Sequence, residues 1–346
     1  MSRRNIITAV IISFVIIALC TAAVASLFFL RTPLSQQLNL NLTTPTPILQ
    51  PTMPLFATEE PQPQPTPTRM MTPTVGLPTS ITQCGMKGSI TILLLGRDNN
   101  YWELPSGADA IRVVRINFDQ QKALIFTFPR DLWVATPSLT ENYSISKIRL
   151  GPLYTTIKNT EAQNPNADFL ATNAVAQTLY DNFGIVSDHY VTLNETVLAD
   201  VVDSINGIEV DVPKGFKAYG ITFESGKQLM DGKKTMAYLR YAESQKDEWN
   251  RINRQNLVIK ALQDKLSTPS VFPRIPELFQ KSRQAVVTDF SPTNIVGLSC
   301  VGSQISMSQV AIDTIPQEYI SITTEKLMVI KDVNQLKEYI SKAFDF

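Results

Sequence analysis

One long apolar run near the start of the chain constrains its fold most. Residues 6–30 contain no charged side chain and are mostly apolar, while Arg3 and Arg4 precede them and Arg31 follows. About twenty such residues form a helix that crosses a bilayer, and flanking cations favour the cytoplasmic side. We therefore predict a cytoplasmic N-terminus (residues 1–5), a single transmembrane anchor, and an extracellular remainder.

A cleaved signal peptide is the alternative interpretation of this run. Its apolar stretch is normally shorter, roughly 7 to 15 residues, although Ala23-Val24-Ala25 is similar to a cleavage site. The length of the run favours the uncleaved anchor. Cys20 follows Leu19 rather than a small residue, so we interpret it as an apolar membrane residue and not as a site of lipid attachment.

Residues 31–83 differ sharply from the rest of the chain in composition. They are rich in proline, threonine and glutamine and hold half of the chain's 22 prolines. Such a segment has too few apolar residues to form a core, and its proline repeats favour extended polyproline II. We predict an extracellular linker there, followed by one folded domain over residues 84–346.

Strand-length apolar segments alternate with helical periodicities throughout that domain. This mixed order predicts an α/β fold in which a central mixed β-sheet is sandwiched between helices. The predicted strands are residues 90–95, 111–118, 123–128, 190–193 and 207–212, and the predicted helices are residues 167–183, 195–202, 235–240, 250–266, 273–279, 291–301 and 336–344.

Charge, histidine and cysteine content exclude some classes of function. The 31 basic and 31 acidic residues balance, so the chain has no electrostatic footprint for nucleic acid. His189 is the only histidine, which argues against a catalytic triad or a two-histidine metal site. Cys84 and Cys300 would both be extracellular, where a disulfide is expected; two independent buried thiols are the alternative.

Charged residues cluster where predicted strands end or begin. Asp98 follows the first strand, Asp109 precedes the second, and Arg130 follows Pro129 after the third. Carboxylates in such positions can hold a hard cation, and arginines match phosphate oxygens. Each residue alone is equally consistent with a solvated turn or a surface ion pair, so only their combination indicates a metal and phosphate site.

Read in order, these segments resemble the LytR-CpsA-Psr family of envelope glycan ligases. The resemblance covers residues 89–266, and no single motif in it is specific, whereas the ordered set is. It is carried by Leu93-Leu94-Leu95-Gly96-Arg97-Asp98, Ala108-Asp109-Ala110, Phe128-Pro129-Arg130-Asp131, Lys147-Ile148, Asp188-His189-Tyr190-Val191, Val202-Asp203, Gly207-Ile208, Leu229 to Arg240, and Arg251 with Arg254-Gln255.

The resemblance implies a membrane-anchored, magnesium-dependent phosphotransferase that moves a glycan phosphate from a polyprenyl-pyrophosphate carrier to a peptidoglycan hydroxyl. Alternatives are a non-catalytic protein that binds polyprenyl phosphate or wall glycan, and a polyprenyl-pyrophosphate pyrophosphatase. Asp98 and Asp109 are the implied metal ligands, and Asp109 is also the candidate base. The implied catalytic residues are Asp109, Arg130 and Arg240, and the implied substrate-binding residues are Lys147, Arg251, Arg254 and Gln255.

The chain departs from the family pattern at two arginine positions, and also after Lys147-Ile148, where Arg149 and Leu150 replace an expected asparagine and tyrosine. Gly107 and Ala242 stand where the family usually has arginines, and each absent guanidinium removes charge-assisted hydrogen bonds of roughly 1.5 to 3 kcal/mol. These departures favour the non-catalytic alternative unless other arginines compensate. Arg97, Arg112 and Arg149 are the candidates for that compensation.

Overall fold

The computed structural model describes residues 31–42, 84–97, 107–242, 247–266, 268, 271, 285–325 and 327–345. The strands within these ranges are β1 (Ser89–Arg97), β2 (Ala108–Asn117), β3 (Lys122–Phe128), β4 (Leu132–Ala135), β5 (Lys147–Arg149), β6 (His189–Asn194), β7 (Ile208–Val212), β8 (Phe216–Ala218), β9 (Ile221–Phe223), β10 (Gly226–Met230), β11 (Val286–Thr288), β12 (Val310–Thr314), β13 (Ile320–Ile322) and β14 (Met328–Ile330).

The helices are α1 (Thr140–Tyr143), α2 (Leu150–Thr160), α3 (Ala167–Phe183), α4 (Glu195–Ser204), α5 (Gly232–Arg240), α6 (Glu248–Leu266), α7 (Pro292–Gln304) and α8 (Val333–Phe344). The helix predicted at residues 273–279 lies outside the described residues.

A six-stranded sheet in the order β11-β6-β1-β2-β3-β12 forms the centre of the domain. β1 pairs antiparallel with β2 and parallel with β6, and β3 pairs antiparallel with β2 and parallel with β12. The predicted central mixed sheet is therefore confirmed. A second, four-stranded sheet has the order β13-β14-β4-β5.

The two faces of the central sheet carry different side chains, because successive residues of a strand point to opposite faces. On β2, Ile111 and Val113 are fully buried in the main core, which they share with Leu153 of α2 and Leu179 of α3. The intervening side chain, Arg112, lines a cavity on the other face. Helices α4, α5 and α6 line that cavity and build a second core together with strands β7 to β10.

A disulfide joins Cys84, at the start of the domain, to Cys300 in α7. The expected pairing is thus present, and it closes a loop with a sequence separation of 216 residues. His189, which we expected to be structural, has Nδ1 3.0 Å from Asp289 Oδ2, and its ring lies 4.4 Å, centre to centre, from that of Phe290 at a tilt of 32°.

Residues 31–42 lie along the surface of the domain, and we call this segment the N-terminal strap. The backbone N–H groups of Asn39 and Asn41 donate to Asn173 and Gln177 of α3, each at 2.8 Å. Leu38 and Leu40 also pack against the main core. The first part of the predicted linker therefore contacts the folded domain.

Residues 43–83 and the predicted anchor, residues 6–30, lie outside the described residues. Inside the described ranges, no helix has both the length and the apolar character needed to cross a bilayer.

Candidate active site

A cavity of about 1100 Å³ opens between β1, β2 and the helices α4, α5 and α6. Five arginines and three carboxylates line it among the described residues, together with a group of aliphatic side chains. The charged residues are Arg112, Arg130, Arg149, Arg240, Arg251, Asp109, Asp131 and Glu195.

Arg130 and Asp109 meet at one wall of the cavity. Pro129 ends β3 because it has no backbone N–H to donate, which leaves Arg130 beyond the strand next to the start of β2. The guanidinium donates to Asp109 Oδ1, and Asp131 Oδ2 lies 3.9 Å from Arg130 Nε. Burial lowers the pKa of Arg130, but Asp109 and Glu248 outweigh this and raise it, so the side chain stays charged.

Glu248 and Arg251 form a second pair within the first turn of α6. Arg251 Nε and Nη2 donate to the two oxygens of Glu248 at 2.8 and 2.6 Å, and Arg251 Nη1 donates to the Asp109 carbonyl at 2.9 Å. Burial raises the pKa of Glu248, but the charges of Arg251 and Arg130 bring it below its ordinary value. Glu248 was not predicted as a site residue, because the predicted helix began at residue 250. The helix in fact begins at Glu248, which places this carboxylate one turn from Arg251.

Arg240 and Glu195 form a third pair across the cavity. Arg240 ends α5, and its Nε donates to Glu195 Oε2 at 3.0 Å. Glu195 begins α4, whose first turn is capped by Asn194, which accepts from the Thr196 N–H at 3.1 Å. The cap places the carboxylate at the cavity wall, although no sequence motif indicated Glu195 as a site residue.

Arg112 lies in the wall between these pairs and is 2% exposed. Its Nη1 donates to Thr127 Oγ1 at 2.5 Å and Asn256 Oδ1 at 2.8 Å, and its Nη2 donates to Gln255 Oε1 at 3.1 Å. Burial, together with the nearby charge of Arg251, lowers the pKa of Arg112 to about 9. That value is still above neutral pH, so the guanidinium is charged at pH 7.

The character of the cavity changes along α6. Arg251 and Gln255 line it near the start of the helix, and Val258, Ile259 and Leu262 line it further on. Residues at these spacings share one helical face, and eleven residues of helix span roughly 16 Å. The cavity is therefore cationic at one end and aliphatic at the other, which suits a ligand with an anionic head and an apolar tail.

The LytR_cpsA_psr family profile matches residues 66–342, which is most of the chain. The chain belongs to the LytR_cpsA_psr family. Among curated relatives of this family, the polyisoprenyl-teichoic acid–peptidoglycan teichoic acid transferase TagV of Bacillus subtilis is 25% identical over 233 residues. The regulatory protein MsrR of Staphylococcus aureus is 24% identical over 217 residues.

These alignments cover 65% and 61% of this chain, and 56% and 60% of TagV and MsrR respectively. The chain thus spans somewhat more than half the length of each relative. Solved structures agree on the LytR_cpsA_psr fold. B. subtilis TagV superposes with a TM-score of 0.59 at 21% identity, over 75% of this chain and 99% of that one. TagT bound to LI-WTA superposes with a TM-score of 0.54 at 19% identity, over 76% and 93%.

The backbone explains why an arginine is absent from one LytR_cpsA_psr position. A Cβ added to Gly107 would lie 1.8 Å from the carbonyl oxygen of Gly151, so no side chain fits there without a backbone shift. Gly151 itself abuts the Arg130 Cβ, and its N–H donates to the Arg130 carbonyl at 2.8 Å. Ala242, the other departure from the LytR_cpsA_psr pattern, is exposed.

Two residues that the LytR_cpsA_psr resemblance assigns to substrate do not line this cavity. Lys147 is exposed on β5, whereas Arg149 two residues later lines the cavity and donates to Asp131 at 3.0 Å. Arg254 donates to Asp247 at 3.0 Å and stacks on Tyr241, with its guanidinium carbon 5.1 Å from the ring centre. Arg254 thus connects α6 to the end of α5.

Of the two predicted metal ligands, Asp109 lies at the cavity wall and Asp98 lies outside the described residues. No group of three or more metal-binding side chains occurs in the described part of the chain. Magnesium commonly uses only one or two carboxylates and completes its shell with water and substrate phosphate. Asp109, whose Oδ1 accepts from Arg130, therefore fits as one of the oxygen ligands of such an ion.

Proposed function

We propose that this protein is a phosphotransferase of the cell envelope, which moves a glycan phosphate from a polyprenyl-pyrophosphate carrier to a hydroxyl of peptidoglycan. One observation carries the proposal: the cavity is lined by arginines at one end and by aliphatic residues of α6 at the other. A polyprenyl pyrophosphate has the matching chemistry, with two phosphates next to a hydrocarbon chain. TagV, to which this chain is similar, is a teichoic acid transferase, which supports the same class.

The reaction exchanges one phosphorus–oxygen bond for another. The acceptor hydroxyl oxygen attacks the phosphorus that bears the glycan, and the bond from that phosphorus to the bridging oxygen breaks. Polyprenyl phosphate leaves with the bonding electrons, and the hydroxyl proton passes to a base. Asp109 is the candidate base, because it is a carboxylate at the cavity wall.

Phosphoryl transfer depends mainly on positioning and on stabilising the charge that develops on the oxygens. The accessible cations of this cavity are Arg130 and Arg240, whose side chains are each 33% exposed, and Arg149, whose side chain is 43% exposed. The side chain of Arg251 is only 3% exposed. We assign Arg130 and Arg240 to direct contact with the pyrophosphate. Arg251 holds the Asp109 backbone through its carbonyl, and we assign it to positioning the wall against which the phosphates lie.

Magnesium is the proposed cofactor, with Asp98 and Asp109 as its protein ligands. When bound, the ion would neutralise charge on the phosphate oxygens. Arg130 holds the Asp109 carboxylate in place through Oδ1, which fixes its orientation at the cavity wall.

The proposed setting is the outer face of the cell membrane, with the N-terminus in the cytoplasm and a single span at residues 6–30. The carrier lipid resides in that membrane, and the peptidoglycan acceptor lies outside it. The uncharged run of residues 6–30 and the disulfide between Cys84 and Cys300 support this setting, since disulfides persist in oxidising compartments.

The test uses the full-length chain in detergent with a polyprenyl-pyrophosphate-linked glycan, a peptidoglycan fragment and magnesium. We expect release of polyprenyl phosphate together with glycan attached to the fragment. Arg130→Ala and Arg240→Ala should each lower the rate at least tenfold, whereas Arg115→Met, a matched arginine of β2 that does not line the cavity, should not. Absence of both products from the wild-type protein would refute the proposal.

The same assay separates the two alternatives. Gly107 and Ala242 reduce the positive charge relative to the family pattern, which is the observation that favours a binding protein without turnover. Tight retention of the lipid without any product would identify such a binder. Cleavage of the carrier without attachment of glycan to the fragment would identify a pyrophosphatase, which uses water as the acceptor.

A further inference from the structure

Arg112 differs from the other arginines of the cavity in its partners. Arg130, Arg149, Arg240 and Arg251 each form an ion pair with a carboxylate. Arg112 contacts only neutral oxygens, from a threonine, a glutamine and an asparagine. Within the described residues, no carboxylate lies within ion-pair distance of its guanidinium.

This arrangement is costly in the absence of a ligand. Arg112 is 2% exposed, and a buried charge without a counter-charge loses its hydration and gains little in return. An aliphatic side chain could occupy this position of β2. Leu94, which pairs with Arg112 in the sheet, is aliphatic and lines the same cavity. A cost of this kind is usually retained where function requires it.

The geometry of Arg112 suits the binding of an anion. An arginine side chain has five N–H donors, and the three hydrogen bonds to Thr127, Gln255 and Asn256 engage three of them. Two donors therefore remain for a ligand at the cavity wall. The three engaged donors fix the plane of the guanidinium, so little conformational entropy is lost when a phosphate binds to the others.

We propose that Arg112 is a further substrate-binding residue whose counter-ion is a phosphate group of the bound pyrophosphate. Arg112 supplies a positive charge to a cavity that lacks two arginines of the family pattern. At Gly107 the backbone leaves no room for a side chain, and Ala242 is uncharged. The identity of the anion rests on the proposed function. The need for some anion follows from the surroundings of Arg112 itself.

The test measures binding of inorganic pyrophosphate to the full-length chain in detergent at pH 7, by titration calorimetry. Arg112→Met should bind at least about tenfold more weakly than wild type, since hydrogen bonds between charged groups are among the strongest in proteins. Arg112→Lys should lie between the two, because lysine keeps the charge but not the planar fork. Arg115→Met, on the other face of β2, is the matched control and should bind like wild type.

A thermal-unfolding series distinguishes a binding role from a structural one. Pyrophosphate should raise the midpoint of wild type more than that of Arg112→Met, because only binding to the folded state stabilises it. Equal pyrophosphate affinity in wild type, Arg112→Met and Arg112→Lys would overturn the inference, as would a wild-type chain that binds no pyrophosphate. If Arg112 controls pyrophosphate affinity while wild type shows no transfer, the proposed function fails and this inference stands.

Discussion

Glu248 and Arg251 hold each other through two hydrogen bonds across one turn of α6, and both side chains are 3% exposed. Removing one partner of a buried pair leaves the other charge uncompensated, which costs about 3 to 5 kcal/mol. We therefore expect Glu248→Ala to lower the free energy of unfolding by that amount, as measured by urea denaturation.

An exposed pair provides the control for this change. Glu338 accepts from Lys342 at 2.7 Å on α8, and both side chains are largely exposed. Solvent and salt screen such pairs, so Glu338→Ala should leave the urea midpoint unchanged. A loss of stability in Glu338→Ala as large as that in Glu248→Ala would show that burial is not the cause.

Because of this pair, we expect the free energy of unfolding to depend on pH in the acidic range. The pKa of Glu248 in the folded protein is below its ordinary value of 4.5, so the folded state binds fewer protons there than the unfolded state. The stabilisation is complete above about pH 4.5 and is lost as the pH falls towards the folded-state pKa. Urea midpoints measured from pH 7 downwards should fall less steeply in Glu248→Gln than in wild type; parallel curves would contradict the assignment.

Adding a side chain at Gly107 should destabilise the protein, whereas enlarging the side chain at Ala242 should not. Even Gly107→Ala places a Cβ against the Gly151 carbonyl oxygen, so it should lower the free energy of unfolding by about 1 to 3 kcal/mol. Ala242→Arg adds a side chain at an exposed position and should change stability by less than about 0.5 kcal/mol. Thermal midpoints of the two variants provide the comparison, and equal midpoints would refute the steric argument.

The two cations of β5 should differ in their effect on transfer. Arg149 lines the cavity and Lys147 does not. We expect Arg149→Ala to lower the rate of transfer by about tenfold, the effect of one charge-assisted hydrogen bond, and Lys147→Ala to have little effect. A larger loss in Lys147→Ala would place the phosphates outside the cavity described above. The rates are measured with the full-length protein and the carrier substrate.

The disulfide between Cys84 and Cys300 should contribute substantially to stability. In the chain-entropy model, a bridge across so long a loop contributes roughly 5 kcal/mol. Reductant should lower the thermal midpoint of wild type and leave that of a Cys84→Ser, Cys300→Ser double variant unchanged. If full reduction of the disulfide did not change the thermal midpoint of wild type, a stabilising role would be contradicted.

Elements with a clear periodicity were predictable from the sequence, and α3 begins and ends at the predicted residues 167 and 183. The short strands β4 and β5 were not, because three or four residues are too few to show an alternation. Their positions depend on pairing with β14 and with each other, which are contacts distant in sequence.

The sequence predicted three of the arginines of the candidate site but not the glutamates that pair with them. Arg130, Arg240 and Arg251 follow from the ordered motifs. Glu195 pairs with Arg240 only because α4 packs against α5, and Glu248 pairs with Arg251 because α6 begins two residues before its predicted start. Arg112 alternates with apolar residues on β2, a pattern typical of an exposed face. It is buried instead because α6 covers that face of the sheet.

Because the N-terminal strap contacts the domain, residues 43–83 do not act as a spacer between the domain and residue 31. Residues 42 and 84 both belong to the folded body, so the number of residues between them does not set the distance of the domain from residue 31. After cleavage between residues 43 and 83, noncovalent contacts would hold the strap to the domain. These contacts include the packing of Leu38 and Leu40, the hydrogen bonds to α3, and the hydrogen bonds of Leu34 and Gln36 with Phe290 and Tyr190. Attachment of the domain to whatever precedes residue 31 would then be a binding equilibrium rather than a covalent tether.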